Sequence, residues 1–251
     1  DAYEGAPAVV TGFMSTGVKA AAVAAFARVF LSTLGPLVSN WAPILWGISA
    51  ATMIVGTVVG VSQTSLKRML AYSSIAHGGY LLVALVAAND AGKSSLLFYL
   101  ASYAVTNLGA FGIIALLGSR DRSNDDLRDY AGLAHSHPAL AALMAVLLLS
   151  LGGFPPTAGF IAKWYVFSAA IGAGYYGLAI IGFLSSVVSV YFYLRIVVMM
   201  YMTDRDARPV PPPVSSLAMT GLIASVALVL YLGVLPAQVI TWAEASIATI
   251  F

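Results

Sequence analysis

Cysteine is absent from the 251 residues, which excludes disulfides, cysteine-held zinc and iron–sulfur clusters ligated by this chain. Charge is scarce as well. Asp, Glu, Lys and Arg make up 9% of the sequence, against about 25% in soluble domains, too little polar surface to face water all round. No Walker loop, dinucleotide fingerprint or haem ligand set occurs, so driving energy has to arrive from another chain. The net charge of +2 carries no nucleic-acid signal, because the basic residues are scattered over loops and isolated apolar positions.

What is present in quantity is apolar surface, 60% of all residues. A membrane can be crossed only by helices or by closed barrels, and barrel strands alternate apolar and polar residues. Runs such as 140–151 and 217–234 do not alternate. The pattern predicts an all-α polytopic membrane protein with seven segments in a single transmembrane domain: 7–34, 41–62, 67–88, 94–118, 138–171, 175–202 and 214–235. The tail 236–251, with Trp242, suits a continuation past a kink or an interfacial helix. The opening Asp1-Ala2-Tyr3-Glu4-Gly5-Ala6-Pro7 reads as a loop cut from a longer chain.

The fifth segment is too long. Its 34 residues would reach about 51 Å as a straight helix, beyond a ~30 Å hydrocarbon core. Its centre carries Gly153, Pro155, Pro156 and Gly159. Prolines lack the backbone donor and clash with the preceding turn, which predicts a break over 152–159 between half-helices 138–151 and 157–171. Backbone freed at membrane depth must meet protein or water, so the break should line a polar cavity.

Loop charges set the orientation. Lys67, Arg68, Arg120, Arg122, Arg128, Arg205 and Arg208 follow the second, fourth and sixth segments, and Lys93 stands alone on the other side. That asymmetry places the former loops in the cytoplasm or its equivalent. The run Pro211-Pro212-Pro213 reads as a stiff loop. His135 and His137, near Asp125, Asp126 and Asp129, read as part of a solvated loop, and no metal site is expected.

Four cations remain inside the segments: Lys19, Arg28, Lys163 and Arg195, together with His77 and no Asp or Glu. A charge at the bilayer centre costs roughly 2.5–3.5 kcal/mol on the insertion scale, so such residues face the protein interior and serve a function. Lys19 lies near mid-depth with Ser15, Thr16 and Gly17 beside it, and Lys163 lies one turn beyond the break. His77 follows Tyr72, Ser73 and Ser74, and an imidazole suits a proton shuttle near neutral pH. Together Lys19, His77 and Lys163 form the expected proton relay. Arg28 and Arg195 read as supporting residues, since a guanidinium keeps its proton. The energies are adequate. One charge crossing 100 mV is worth about 2.3 kcal/mol, and a thousandfold swing in an amine's proton affinity about 4 kcal/mol.

Three ordered motifs carry a family resemblance: Phe13-Met14-Ser15-Thr16-Gly17-Val18-Lys19-Ala20 after the opening loop, Lys67-Arg68-Met69-Leu70-Ala71-Tyr72-Ser73-Ser74-Ile75-Ala76-His77, and Gly153-Phe154-Pro155-Pro156-Thr157-Ala158-Gly159-Phe160-Ile161-Ala162-Lys163. In these the chain resembles the antiporter-like membrane subunits of respiratory complex I, an NADH:quinone oxidoreductase, and their relatives in cation/proton antiporter complexes. The resemblance implies helices eight to fourteen of fourteen, with a further glutamate and lysine lying before Asp1. It implies that Lys19 connects two half-channels, that His77 belongs to a hydrated central axis, and that Lys163 gates the far half-channel. It also implies a non-redox, proton-translocating role in a bacterial inner membrane. FMN, Fe–S clusters and quinone would sit on partner subunits, and no cofactor on this chain. The glycine pair Gly78-Gly79 departs from the family, which more often has a bulky residue before glycine, and is expected to widen the space at His77. A subunit of a multi-subunit cation antiporter and a structural spacer of the membrane arm are the alternative readings.

Overall fold

The computed structural model describes residues 2–118, 125–203 and 214–250. Arg120, Arg122, Arg205, Arg208 and the Pro211-Pro212-Pro213 run lie outside the described residues. Within them the fold is helical, with one isolated antiparallel bridge, Ser65 to Asp126. Six helices are long and apolar enough to cross a membrane: α1 (Ala8–Thr33), α2 (Gly35–Val61), α3 (Leu66–Ala87), α4 (Asp90–Leu117), α7 (Tyr176–Met202) and α8 (Ser216–Val234). Between α4 and α7 come two shorter apolar helices, α5 (Pro138–Gly152) and α6 (Ala158–Gly172). The tail forms α9 (Ala237–Ile250), which packs on α4.

Several boundaries follow from caps that hydropathy alone does not reveal. Ser65 accepts from the Arg68 amide and starts α3. Asn89 accepts from the Gly92 amide at 2.7 Å and starts α4 four residues before the expected boundary. Lys93 is therefore in the first turn of α4, paired with Asp90 at 3.0 Å, and not in a loop. An acidic residue thus does open one helix, at its end, where the helix dipole favours it.

Helix α1 is not a regular α-helix. Met14–Val18 and Arg28–Thr33 are π-helical turns, the first directly preceding Lys19. Such widened turns free backbone carbonyls from their usual partners and often mark functional positions. Ser15 and Thr16 donate to the Gly12 carbonyl at 3.0 and 2.7 Å.

Helices α3 and α4 form the buried centre, with α6 packed against both and α5 and α7 closing the far side. The outer helices display large apolar side chains, among them Val9, Phe13, Phe183, Leu217 and Ile223, as surfaces facing hydrocarbon do. Segment 125–137 is not the solvated loop expected. It buries Leu127, Tyr130 and Leu133 across the ends of the bundle. The Leu66 amide donates to Asp125 O at 2.7 Å, Leu127 to Thr64 O, and Gly132 to Met199 O. Only His135 and the charged side chains around it remain at the surface.

Candidate functional site

The two short helices are joined by a turn over residues 153–157. The chain leaves α5 through Gly153 at φ +87°, a left-handed conformation that only glycine adopts without strain, and turns through Phe154 to Thr157. Gly159 permits the close return: a Cβ there would lie 1.8 Å from the Ser150 carbonyl oxygen. The Gly159 amide donates to Ser150 Oγ at 3.2 Å. Pro155 and Pro156 sit on the exposed side of the turn.

The carbonyls freed at the end of α5 turn to Lys163. Its Nζ donates to Leu151 O at 2.9 Å, Gly152 O at 3.0 Å and Ser186 Oγ at 2.8 Å. An ammonium has three protons to donate, and here each finds an acceptor. The C-terminal end of α5 also carries the negative end of its dipole, which favours the cation. The neighbouring crevice differs from the polar cavity expected. It measures about 490 Å³ and is walled mainly by Phe160, Trp164, Phe167, Ile180 and Phe183, with Lys163 and Ser186 at its inner end. At the turn, the Gly159 amide and the Leu151 and Gly152 carbonyls meet protein groups.

Lys19 reaches from α1 to α3, where its Nζ donates to both the carbonyl oxygen and Oγ of Ser74. It borders a second cavity of about 470 Å³ with Tyr3, Thr52, Arg68, Tyr72, Ser74 and Gly78 on its walls.

His77 lies between these two stations in a cage of tyrosines. Its Nδ1 is 2.6 Å from the Tyr99 hydroxyl and its Nε2 is 3.4 Å from the Tyr193 hydroxyl. Tyr193 is also hydrogen-bonded to Ser73. The rings of Tyr80 and Tyr103 flank the imidazole at 5.5 and 4.9 Å between centroids. A third cavity, about 10 Å³, is lined by His77, Tyr99, Ser102, Tyr103, Thr106 and Ser150. That is about the least volume that admits one water molecule. Gly79 does not widen this space: it lets α3 approach α2, where Ser49 Oγ donates to its carbonyl at 2.8 Å and Met53 fills the gap. Gly78 opens instead toward the Lys19 cavity.

The structure thus brings Lys19, His77, Lys163, Ser73 and Ser74 onto one buried axis, with Tyr72 at its edge. Arg28 and Arg195 are not part of it. Arg28 is exposed on α1, and Arg195 Nη1 donates to Gln63 O at 3.4 Å, tying α7 to the turn after α2. The tyrosines and Ser186 were missed by sequence reasoning, yet a signal was there. Tyr99, Ser102, Tyr103, Thr106 and Asn107 recur at the i, i+3, i+4, i+7, i+8 spacing of one helical face. All five are buried, and Asn107 donates to Ser15 Oγ at 2.7 Å.

A row of two amines and an imidazole inside a bundle of membrane-length helices, one amine beside the turn between two short helices, defines a multi-pass membrane protein with a polar core. The chain belongs to the NADH:quinone oxidoreductase/Mrp antiporter transmembrane family, which it matches over residues 1–189. It is 44% identical to NADH-quinone oxidoreductase subunit N of Trichlorobacter lovleyi, over 100% of this chain and 51% of that protein. It is 40% identical to NADH-quinone oxidoreductase subunit N 1 of Solibacter usitatus, over 100% and 52%. The chain spans about half the length of the relatives it matches. Among solved structures, it superposes on a chain of respiratory complex I from Thermus thermophilus with bound aureothin. That match has a TM-score of 0.82 and 35% identity, over 95% of this chain and 52% of that one. A chain of the Mrp complex from Dietzia shares the fold, with a TM-score of 0.87 and 19% identity, over 99% and 54%.

Proposed function

We propose that this chain is the C-terminal part of a proton-translocating membrane-arm subunit of an NADH:quinone oxidoreductase, most like subunit N. In this reading α5 and α6 together make one discontinuous crossing, giving seven crossings in one transmembrane domain of a bacterial inner membrane. FMN, Fe–S clusters and quinone belong to partner subunits, and this chain contributes no redox centre. It acts within a translocating enzyme by moving charge.

The observation that carries the proposal is Lys163, an amine with three acceptors at the broken end of α5. Such a seat holds a proton, and it releases one when a neighbouring charge makes the ammonium unfavourable. Lys19 supplies the second amine, and His77 stands between them with a tyrosine hydroxyl at each ring nitrogen. A proton reaching one lysine raises the electrostatic cost of a proton on the imidazole, so the three sites load and unload in sequence. Quinone reduction in partner subunits would drive that cycle through their own charge movements.

Replacing Lys163 with alanine in the full-length subunit, within its complex, is expected to abolish most proton pumping per electron while the complex assembles. Unchanged stoichiometry overturns the reading. A structural spacer predicts impaired assembly with normal pumping by every complex that forms. The shared fold with the Mrp chain keeps an antiporter subunit as the second reading. Copurification separates the two: flavin and Fe–S subunits accompany the respiratory enzyme, whereas membrane subunits alone accompany the antiporter.

A further inference from the structure

Each lysine of the axis stands over the face of a tyrosine. Lys19 Nζ is 4.8 Å from the Tyr103 ring centroid, and Lys163 Nζ is 5.2 Å from that of Tyr80. The two surroundings are alike in further detail. Each amine donates to a serine hydroxyl, Ser74 or Ser186. The Tyr103 hydroxyl lies toward Ser74 and the Tyr80 hydroxyl toward Ser189 and then Ser186, neither closing a hydrogen bond among the described residues. Both tyrosine rings then flank His77 from different sides, with Tyr80 edge-on at 88° and Tyr103 tilted at 36°. The resulting order is Lys19, Tyr103, His77, Tyr80, Lys163.

Neither amine has a carboxylate partner among the described residues. The negative potential that each ammonium meets comes from carbonyl oxygens, one hydroxyl and an aromatic face. A desolvated ring face attracts a cation within about 6 Å of its centroid. We infer that Tyr103 and Tyr80 are positioning residues that seat the protonated forms of Lys19 and Lys163, through their ring faces and not their hydroxyls. Each ring is shared with His77. A proton on the imidazole therefore acts electrostatically on the same ring that steadies a charged lysine, which couples the two lysines through residues that themselves carry no charge. The inference rests on the reading of Lys19 and Lys163 as proton carriers.

The test uses the full-length subunit in its intact complex, in sealed membrane vesicles, and reads proton pumping per electron. Tyr80→Phe and Tyr103→Phe keep the face and should pump within about twofold of the parent. Tyr80→Leu and Tyr103→Leu remove it and should lower pumping by roughly two- to thirty-fold, the range of a buried cation–aromatic contact. Because leucine can disturb packing, a graded series of ring-fluorinated phenylalanines at each position provides the second measurement. Pumping should fall stepwise as fluorine drains the face of negative charge, at nearly constant size. A flat fluorine series, or phenylalanine variants as impaired as the leucine ones, overturns the proposal. Lys19→Ala and Lys163→Ala in the same vesicles separate the two failures. If they lose pumping while every tyrosine variant retains it, the seats are wrong and the relay stands. If they pump normally, the relay falls and the seats with it.

Discussion

The two lysine stations resemble each other in chemistry and differ in construction. Lys163 is held by three acceptors, two of them carbonyls at the C-terminal end of α5. Lys19 is held by one residue, Ser74, whose carbonyl belongs to the continuous helix α3. Gly153 and Gly159 shape the first station by backbone geometry, while a cavity of about 470 Å³ borders the second. Removing the Lys163 amine leaves the Leu151 carbonyl without its donor, whereas removing the Lys19 amine leaves little behind. Backbone geometry fixes one amine, and the hydrogen bonds to one residue hold the other.

Gly159→Ala attacks the rigid station most directly. Its Cβ would meet Ser150 O at 1.8 Å, so α5 and α6 must separate, at about 3 kcal/mol or more. The expected outcome is a complex that loses assembly in native gels. Gly78→Ala, on the wall of the Lys19 cavity with nothing within 4 Å, should assemble normally.

Lysine replacement should be unequal in the same direction. Lys163→Ala leaves Leu151 O without its donor, at roughly 1–3 kcal/mol for one unsatisfied group, while Gly152 O keeps the Ser186 hydroxyl at 3.3 Å. Lys19→Ala should cost less than 1 kcal/mol, because α3 is continuous at Ser74. Thermal inactivation of the two purified complexes measures this, and equal loss would erase the distinction between the stations.

The serines should invert that ranking. Ser74→Ala leaves Lys19 with one acceptor, and Ser186→Ala leaves Lys163 with two. Pumping should fall about tenfold in the first, near the ~1.4 kcal/mol of one charged hydrogen bond, and about threefold in the second. Comparable losses would mean that both amines are held equally.

The smallest effect belongs to Tyr130, outside both stations, as a control. Its hydroxyl is buried without a partner among the described residues, and burial, with the Asp125 and Asp129 carboxylates nearby, raises its pKa above the usual phenol value of 10.0. The unfolded chain therefore releases this proton first, so stability falls as pH rises past the unfolded pKa near ~10. Tyr130→Phe should be neutral or up to ~1 kcal/mol stabilising at pH 7 and should flatten that alkaline decline. Heat inactivation followed against pH checks both outcomes, with pumping unchanged.

The contrast between the stations also marks how far the sequence could be read. The turn between α5 and α6 beside Lys163 was legible because Gly153, Pro155, Pro156 and Gly159 act on the backbone next to them. The start of α4 at Asp90 was not, because it rests on a cap by Asn89 that hydropathy averages away. The polar face from Tyr99 to Asn107 was present as a period, but its meaning depended on which helix it would meet. Segment 125–137 looked solvated because its charges stand out, while Leu127, Tyr130 and Leu133 do the packing.

By itself the sequence determined that the chain is a bundle of membrane-length helices, because apolar run length and proline chemistry are local properties. It also determined that Lys19, His77 and Lys163 lie within apolar helices and not between them, since a residue's place along a run is local. Tertiary structure alone decided that Lys19 meets Ser74, that Tyr103 and Tyr80 stand under the amines, and that Arg195 ties down Gln63. Those partners are 55 to 132 residues apart in several cases, and their meeting depends on how each helix is rotated about its axis as it packs.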